Sequence, residues 1–499
     1  MDINEPSRRR TLRQLIGLTA LGAVNMLRAP RALAAGKIAR ATAIPGVGGK
    51  VISRQDADYE VWRQAMVWHQ SKPKRYPQLI VQARSEQDVI AAVKYAAANQ
   101  LKVSVRSGGH NANGSALRDG ALLIDVSAMN DIVIDAARQI ASIQPGVRSL
   151  EMIQAAREQG FSFPVPHCSS VGLSGFTLGG GMGWNWPQCG GMATHSIVGA
   201  EVVTADGRLL RATPSENPDL YWAVRGVGPG FFGVVTRLFL QLYPAPRSIM
   251  ASSYIFPLAE LATVTSTLDA IRQTHDVARV EPIIVLMHHP EAPADAPPEK
   301  SKIVFFTAFA FEDNEQAARA ALLPFAQSAL ASKAAMKMEY QPFAFEGLYD
   351  RYFSLNDPAG RCARYAVDNV LTDAGGKTLQ ALADHFRTAP GKDCHILAAF
   401  NLRLQRHEDS CFSWVADCFV GCYAIWDAEA DDSRNFAWLR QTLPLMDPLA
   451  VGHYVNEIEG RGHPERYQQC FSAANWQRLQ SLRQQYDPSG VFHHYLGHS

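Results

Sequence analysis

The chain has little that would staple it covalently or tie it to a membrane or to nucleic acid. Its 8 cysteines among 499 residues are too few for a disulfide framework. No apolar run reaches the roughly 20 residues that a membrane-spanning helix needs. Its 48 basic and 47 acidic residues nearly cancel, whereas binding to nucleic acid or to an anionic membrane favours a basic excess. We therefore expect no nucleic-acid partner and no stable membrane insertion.

Four residues could suggest a metal site. Cys418 and Cys422 have Cys411 and His407 nearby in the sequence. However, the compact Cys-x-x-Cys knuckle of a zinc site is missing, and residues 412–423 alternate like a strand. Buried structural thiols are the favoured interpretation, and no metal is predicted.

Residues 1–35 differ in kind from the rest of the chain. The run Arg8-Arg9-Arg10 precedes a mostly apolar stretch over residues 15–27, and Ala32-Leu33-Ala34 offers a small-residue cleavage pattern. This order is typical of a twin-arginine export signal, with a basic amphipathic arm as the alternative. We expect the export machinery to recognise it, and the mature protein, beginning near Ala35, to be periplasmic or secreted.

At 499 residues the chain is too long for one ordinary hydrophobic core, so two domains are expected. Residues 76–143 have the pattern strand, helix, strand, loop, strand, with Ser85 and Asp88 capping a helix that runs to about Ala98. A second α/β stretch covers residues 147–244. Further strands are predicted at 253–256, 283–288, 303–309, 396–404 and 412–423, with helices near 314–328, 377–387 and 433–443. Antiparallel strands with helices on one face indicate an α+β region.

Three glycine-rich loops lie at the ends of predicted strands, at residues 107–109, 172–183 and 226–233. Residues 228–233 match G-x-G-x-x-G, but the β-branched run that follows predicts a strand and not the helix a nicotinamide-type Rossmann site requires. Each loop could be an ordinary turn. Three together, with unhindered backbone N–H groups, favour an extended phosphate-bearing ligand.

Two nucleophiles flank these loops. His110 ends the first loop, and Cys168 stands shortly before the second. Taken singly, each residue type is more often structural. Both can add to the electron-poor isoalloxazine ring of a flavin, so the pair indicates a covalently held cofactor.

These segments resemble, in the same order, the berberine-bridge-enzyme-like FAD oxidases of the vanillyl-alcohol-oxidase and p-cresol-methylhydroxylase (PCMH) group. The segments are 106–110 (RSGGH), 124–127 (IDVS), 168–175 (CSSVGLSG), 179–183 (GGGMG), 217–226 (NPDLYWAVRG), 232–236 (FGVVT), 454–456 (YVN) and 486–492 (YDPSGVF). The resemblance covers about 77–244 and 454–492. The middle of the chain shares only the pattern of predicted strands and helices, without a matching motif.

The resemblance implies an α+β fold in which a PCMH-type FAD-binding domain, made of two α/β subdomains, carries an α+β substrate domain with an antiparallel sheet. Residues 45–245 would form the N-terminal part of the FAD-binding domain, residues 246–445 the substrate domain, and residues 446–499 a C-terminal segment that completes the FAD domain. His110 falls where the family attaches the flavin 8α-methyl group, and Cys168 where doubly linked members attach flavin C6. The implied FAD-binding residues are Arg106, Ser107, Gly108, Gly109, His110, Asn111, Gly114, Asp125, Cys168, Val171, Gly172, Gly175, Gly179, Gly180, Gly181, Gly183, Gly233, Val235 and Asn456.

The catalytic candidates are Tyr454 and Glu457. Relatives commonly carry an aromatic residue, often a tyrosine that acts as the base, where this chain has Glu457. In a strand, Glu457 and Val455 would share one face, and a carboxylate beside an apolar flavin ring would have its pKa raised towards the range of a general base. The alternative is an exposed glutamate at a strand end. Asn401, Arg403 and Gln405 are further polar candidates.

The sequence leaves three hypotheses for function. The leading one is an oxidase that transfers hydride from a small organic substrate, an alcohol, sugar or amine, to FAD and then to O2, giving hydrogen peroxide. The second is a dehydrogenase of the same fold that passes electrons to a quinone or cytochrome. The third is a flavin-free exported binding protein, which would leave His110 and Cys168 unexplained.

Overall fold

The structure is a computed structural model, and it describes residues 43–357, 360–402 and 405–498. The export signal expected at residues 1–35 and the candidate Arg403 lie outside these residues. In the part of the chain that is described, no helix has the length and apolar character needed to cross a bilayer.

The first sheet has four strands in the order β1-β2-β4-β3. Its strands are β1 (Lys50–Ser53), β2 (Leu79–Gln82), β3 (Val103–Arg106) and β4 (Leu122–Asp125), preceded or connected by helices α1 (Tyr59–Ala65) and α2 (Glu86–Ala98). β2, β4 and β3 are parallel, and β1 is an antiparallel edge strand. The Ser85 hydroxyl accepts a hydrogen bond from the Asp88 N–H, so the predicted helix cap is confirmed.

The second sheet has five antiparallel strands in the order β5-β6-β10-β8-β9. They are β5 (Ile132–Asp135), β6 (Ile140–Ile143), β8 (Ile197–Val203), β9 (Leu209–Ala212) and β10 (Val234–Gln241), while β7 (Phe161–Ser162) and β11 (Tyr243–Pro244) form a separate short ladder. Helices α3 (Ser149–Glu158), α4 (Leu173–Leu178) and α5 (Pro218–Val224) belong to this region. The strand β10 after Gly233 confirms that the G-x-G-x-x-G match does not open a Rossmann helix.

The third sheet has seven antiparallel strands in the order β15-β12-β14-β13-β17-β18-β16. They are β12 (Ser248–Pro257), β13 (Val280–His288), β14 (Lys302–Glu312), β15 (Met336–Phe343), β16 (Arg364–Thr372), β17 (His395–Ala399) and β18 (Cys418–Trp426). The sequence predicted five of these. It missed β15 and β16, and the expected strands over 396–404 and 412–423 are each strand only in part.

Helices cover one face of the seven-stranded sheet. The helices of this region are α6 (Leu261–Thr274), α7 (Pro298–Ser301), α8 (Glu315–Ala326), α9 (Ala329–Lys333), α10 (Phe345–Asn356), α11 (Gly375–Arg387), α12 (Asp432–Gln441) and α13 (Leu443–Met446). Successive residues of β14 alternate between two cores: Val304 and Phe306 pack under α6, α8 and α11, whereas Phe305 and Phe309 face the N-terminal sheets. The α+β fold with an antiparallel sheet is therefore confirmed.

The C-terminal tail returns to the first sheet. After α14 (Arg466–Gln469) and α15 (Ala473–Tyr486), Phe492 forms a parallel bridge with Val103. The Val103 N–H donates to the Val491 carbonyl at 2.6 Å. Residues far apart in sequence therefore meet at the end of the first sheet.

Candidate cofactor-binding and active site

A large cavity lies between the N-terminal sheets and the seven-stranded sheet. It is lined by the glycine-rich loops on one side and by residues of β13, β16, β17 and β18 on the other. The predicted site residues that line it are Arg106, Ser107, Gly108, Gly109, His110, Asn111, Cys168, Val171, Gly172, Gly175, Gly233, Val235, Tyr454, Asn456 and Glu457. The structure thus brings most of the predicted site together.

Six predicted cofactor residues do not line the cavity: Gly114, Asp125, Gly179, Gly180, Gly181 and Gly183. Asp125 is buried, and its carboxylate accepts from the Arg106 guanidinium at 3.0 Å, so it orients a residue of the wall. A Cβ on Gly179 would lie 2.0 Å from Asn456 Oδ1. The glycines of 179–183 therefore leave room for side chains from other segments of the chain to pack against their backbone.

The first two glycine loops touch through their backbones. A Cβ on Gly108 would lie 2.3 Å from the Gly172 nitrogen, and one on Gly172 would lie 2.5 Å from the Gly108 nitrogen. Any side chain at either position would separate the loops. This contact brings the wall that carries His110 to the one that carries Cys168. The first loop directly follows β3 and the third directly precedes β10. The second contains the helix α4 and ends no strand, so the expectation that all three loops lie at strand ends is wrong for it.

The His110 imidazole is held on two sides. Its ring stacks on Trp68, with 4.9 Å between centroids and 21° between planes. Its Nε2 lies 3.1 Å from the Ser170 hydroxyl. Burial, and to a lesser degree the positive charges of Arg106 and Arg148, lower the pKa of His110 to about 3. The imidazole is therefore neutral, which is the nucleophilic form.

The Cys168 side chain lies on the same cavity, two residues before Ser170. The Asn356 amide donates to its Sγ at 3.4 Å. Burial raises the pKa of the thiol to about 12, so Cys168 is protonated near neutral pH and needs activation before it can act as a nucleophile. His110 is ready for attachment chemistry in a way that Cys168 is not.

Glu457 enters the cavity from a tight turn. Val455–Glu457 forms a short 3₁₀ helix and not a strand, so the face that Glu457 and Val455 would share in a strand does not exist. Asn369 on β16 holds this turn: its amide donates to the carbonyls of Tyr454 and Glu457, at 2.9 and 3.0 Å, and its Oδ1 accepts from the Tyr454 N–H at 2.8 Å. The Glu457 side chain lines the cavity and is partly buried, which excludes an exposed strand end.

The Glu457 carboxylate has the properties of a general base. Burial raises its pKa to about 7, although a hydrogen bond from Tyr423 acts in the opposite direction. The Tyr423 hydroxyl donates to Glu457 Oε2 at 2.7 Å. A carboxylate that titrates near neutral pH can accept a proton from a bound molecule and release it again.

Tyr454 is less suited to proton transfer. Its hydroxyl oxygen accepts hydrogen bonds from the Gly181 N–H at 3.1 Å and from the Asn456 amide at 3.0 Å. Burial raises the pKa of its hydroxyl further above the usual value. The geometry indicates that Tyr454 fixes the turn that carries Glu457.

Two other polar candidates, Asn401 and Gln405, do not line the cavity. The Asn401 amide donates to the carbonyls of Val277 and Val280, and its Oδ1 accepts from Arg272 at 2.7 Å. Gln405 is exposed and does not line the cavity.

Comparison with known proteins assigns the family. A family model described as an FAD binding domain matches residues 77–213. The FAD-linked oxidoreductase ptmO of Penicillium ochrochloron is 30% identical over 440 residues, covering 87% of this chain and 94% of its own. The chain belongs to the FAD-linked oxidoreductases.

Solved structures agree with this assignment. The 6-hydroxy-D-nicotine oxidase of Arthrobacter nicotinovorans superposes with a TM-score of 0.75 at 25% identity, over 90% of this chain and 97% of that one. Berberine bridge enzyme from Eschscholzia californica gives a TM-score of 0.75 at 18% identity, over 91% and 96%. The berberine-bridge-enzyme-like resemblance and the PCMH-type fold are thereby confirmed, and the protein is an FAD-dependent oxidoreductase.

The cavity of this FAD-linked oxidoreductase fits a flavin dinucleotide. Its wall includes Gly109, Gly172, Gly175 and Gly233, and residues without a Cβ let a phosphate-bearing ligand come close to the backbone. Arg106 and Arg118 add positive charge to the same side. The neutral His110 and the thiol of Cys168 border the same space.

The sequence did not identify the aromatic wall of this oxidoreductase. Tyr365 on β16, His395 on β17 and Tyr423 on β18 line the cavity from one face of the sheet, and Trp68 lies beside them. His395 stacks on Tyr423, its cross-strand partner, with 4.6 Å between ring centroids. The alternating side chains of β16 were the available signal, but that strand was not recognised.

The cysteine-rich segment forms no metal centre within the described residues. All eight cysteines have free thiols, and Cys411, Cys418 and Cys422 are buried. No group of three or more metal-binding side chains occurs in ranges 43–357, 360–402 and 405–498. His407 instead packs against His195, with 3.9 Å between ring centroids.

Proposed function

We propose that the protein is an exported oxidase that holds FAD covalently through His110 and Cys168. It would oxidise a small organic substrate, an alcohol, sugar or amine, and pass the electrons to O2, releasing hydrogen peroxide. The observation that carries this proposal is a single cavity bordered by a neutral imidazole, a thiol and a carboxylate whose pKa lies near 7.

The side chains divide the work between cofactor and substrate. FAD, when bound, supplies the acceptor for a hydride. Ser170 binds His110 Nε2, which leaves Nδ1 as the nitrogen free to bond to the cofactor. Glu457 accepts a proton from the hydroxyl or amine of the substrate, and Tyr423 holds the carboxylate in place. Val367, the cross-strand partner of Tyr423, and Leu397 line the cavity beside them with apolar side chains.

An oxygen assay tests the electron acceptor. The purified yellow enzyme is screened with alcohols, sugars and amines for oxygen uptake and peroxide. We expect peroxide equimolar with product. Reduction of the flavin by a substrate without oxygen uptake would support the dehydrogenase instead, and a colourless purified protein would support the flavin-free binding protein.

Export is proposed from the sequence of residues 1–35. Replacing Arg8 and Arg9 together by lysine should leave the precursor in the cytoplasm, because the paired guanidinium groups are what the export receptor reads. Fractionation of cells that express the double variant measures this. Enzyme that still reaches the periplasm at the wild-type level would refute the proposal.

A further inference from the structure

Charge is unevenly distributed around the cavity. Among its described lining residues, the formally charged ones are Arg106, Arg118 and Glu457. Arg106 is paired with Asp125, and the Arg118 guanidinium donates to the His494 carbonyl, so both cations belong to the side of the glycine loops. Glu457 is the charged group beside the seven-stranded sheet.

The histidines of the cavity do not offset this negative charge. Burial lowers the pKa of His395, which stacks on Tyr423, to about 4. Burial also lowers the pKa of His493 to about 4 and the pKa values of His110 and His167 to about 3. All four are neutral at physiological pH, so among the described lining residues Glu457 carries the charge beside the sheet.

Aromatic rings continue from the cofactor attachment site to this carboxylate. Trp68 stacks on His110 and meets the Tyr365 ring edge-on, with 6.0 Å between centroids. The Tyr365 ring lies 6.1 Å from that of Tyr423, the hydrogen-bond donor to Glu457. Aromatic faces attract cations and pack well against apolar bodies.

The rest of this wall offers little to a polyhydroxylated ligand. Ile283, Val367, Leu397 and Ala399 line it with aliphatic groups. The polar side chains on this side include Asn356, Tyr365, His395, Tyr423 and Glu457. They are too few to replace all the hydrogen bonds to water that the hydroxyl groups of a sugar would lose here. An anion would be repelled by the Glu457 carboxylate.

We infer that the substrate is a monocationic amine with an aromatic or aliphatic body, its ammonium group bound by Glu457 and its body packed against Trp68, Tyr365 and Tyr423. This inference rests on the proposed oxidase function and narrows its substrate to one class. An approaching ammonium favours the ionised carboxylate, so binding itself prepares the base.

The reaction balances for this class. Glu457 takes a proton from the ammonium nitrogen, breaking an N–H bond and leaving the neutral amine. The amine then loses hydride from the adjacent carbon to the bound FAD, and the nitrogen lone pair closes the C=N bond of an iminium ion. The substrate begins and ends with one positive charge and gives up two electrons to the cofactor.

Three probes of one shape test the inference: benzylamine, benzyl alcohol and phenylacetate, which differ mainly in charge. Each is mixed rapidly with the oxygen-free holoenzyme at about pH 8, above the pKa of Glu457, and binding is measured from the change in flavin absorbance that precedes any flavin reduction. We expect benzylamine to bind at least about tenfold more tightly than the other two, a difference of about 1.4 kcal/mol. Equal or tighter binding of either other probe overturns the inference.

Two variants locate the charge that sets this preference. Glu457→Gln keeps the shape of the side chain and should abolish the preference for benzylamine, whereas Glu158→Gln, on the exposed end of α3, should preserve it. Retained flavin absorbance and an unchanged melting temperature show that the Glu457 variant is folded. A full preference in folded Glu457→Gln contradicts the assignment.

The peroxide screen separates this inference from the oxidase proposal. If the enzyme prefers the amine but no substrate causes oxygen uptake, the amine site is supported and the oxidase proposal is rejected. Peroxide from neutral alcohols or sugars, with no amine preference, leaves the oxidase standing and removes the amine site.

Discussion

Replacing Tyr423 by phenylalanine should raise the pKa of Glu457. The change removes the one hydroxyl that donates to Glu457 Oε2 but keeps the ring that stacks on His395. A hydrogen bond to a charged group contributes about 1.5–3 kcal/mol, and one pKa unit corresponds to about 1.4 kcal/mol. The pKa of Glu457 should therefore rise by about 1–2 units, from about 7 to about 8–9.

The sign of the rate effect follows from this shift. A higher pKa leaves less of the carboxylate ionised at neutral pH, so the base is lost there and recovered in alkali. At pH 7 the ionised fraction should fall from about half to about 1–10%, and flavin reduction should slow about 5- to 50-fold. The other titratable groups near Glu457 are Tyr365, Tyr454, Cys168 and His395. All four are neutral at pH 7, so none of them gains a charge that would offset the rise in the pKa of Glu457.

Rapid-reaction kinetics measure the rate of flavin reduction across pH. In Tyr423→Phe the acid limb of this pH–rate profile should move to higher pH. Tyr365→Phe is the matched control, because it removes a hydroxyl from the same wall, whereas among the described residues the side-chain hydrogen bond to the Glu457 carboxylate comes from Tyr423. Its acid limb should stay near that of the wild type. An unmoved limb in Tyr423→Phe, or an equal shift in both variants, would refute the reasoning.

Three further predictions address the base, the attachment points and the loop contact. Glu457→Gln should fold and keep its flavin but lose about 10²-fold or more in the rate of flavin reduction; a near wild-type rate with the same pH profile excludes Glu457 as the base. His110→Ala and Cys168→Ala should each retain acid-stable flavin through the other residue, and the double variant should retain none, as peptide masses will report; flavin mass on the His110 peptide alone would make the enzyme singly linked. Gly108→Ala should lower soluble yield and flavin content, because its Cβ would lie 2.3 Å from a backbone nitrogen of the facing loop. The control Gly347→Ala, whose Cβ would lie 3.9 Å from its nearest neighbour, should match the wild type. Equal behaviour of the two variants would contradict the loop contact.

Elements that depend on local signals could be predicted from the sequence. α2 was found from its apolar periodicity and the Ser85 cap, and β10 from its β-branched run. β16 was missed because Asp368 and Asn369 interrupt its apolar pattern. Both are fully buried, and their partners lie far along the chain: Asp368 pairs with Arg466 at 2.8 Å, and Asn369 binds the Tyr454 turn. No local pattern reveals such partners.

In the candidate site too, the features carried by sequence motifs could be predicted, whereas those that depend on tertiary contacts could not. His110 and Cys168 stand in motifs with a fixed order, so their meeting at one cavity could be expected. The glycines of 179–183 have the same composition as a ligand-binding loop, and only the structure shows that they admit Asn456 and other chain segments. The pairing of His395 with Tyr423 depends on strand register, which the sequence does not specify.

The most direct test of the account is the state of the flavin in the wild-type enzyme. The protein is precipitated with acid, the absorbance of pellet and supernatant is recorded, and the digested pellet is analysed by mass spectrometry. We expect a yellow pellet, a colourless supernatant and one flavin mass shared by the peptides that contain His110 and Cys168. Flavin released entirely into the supernatant would contradict it.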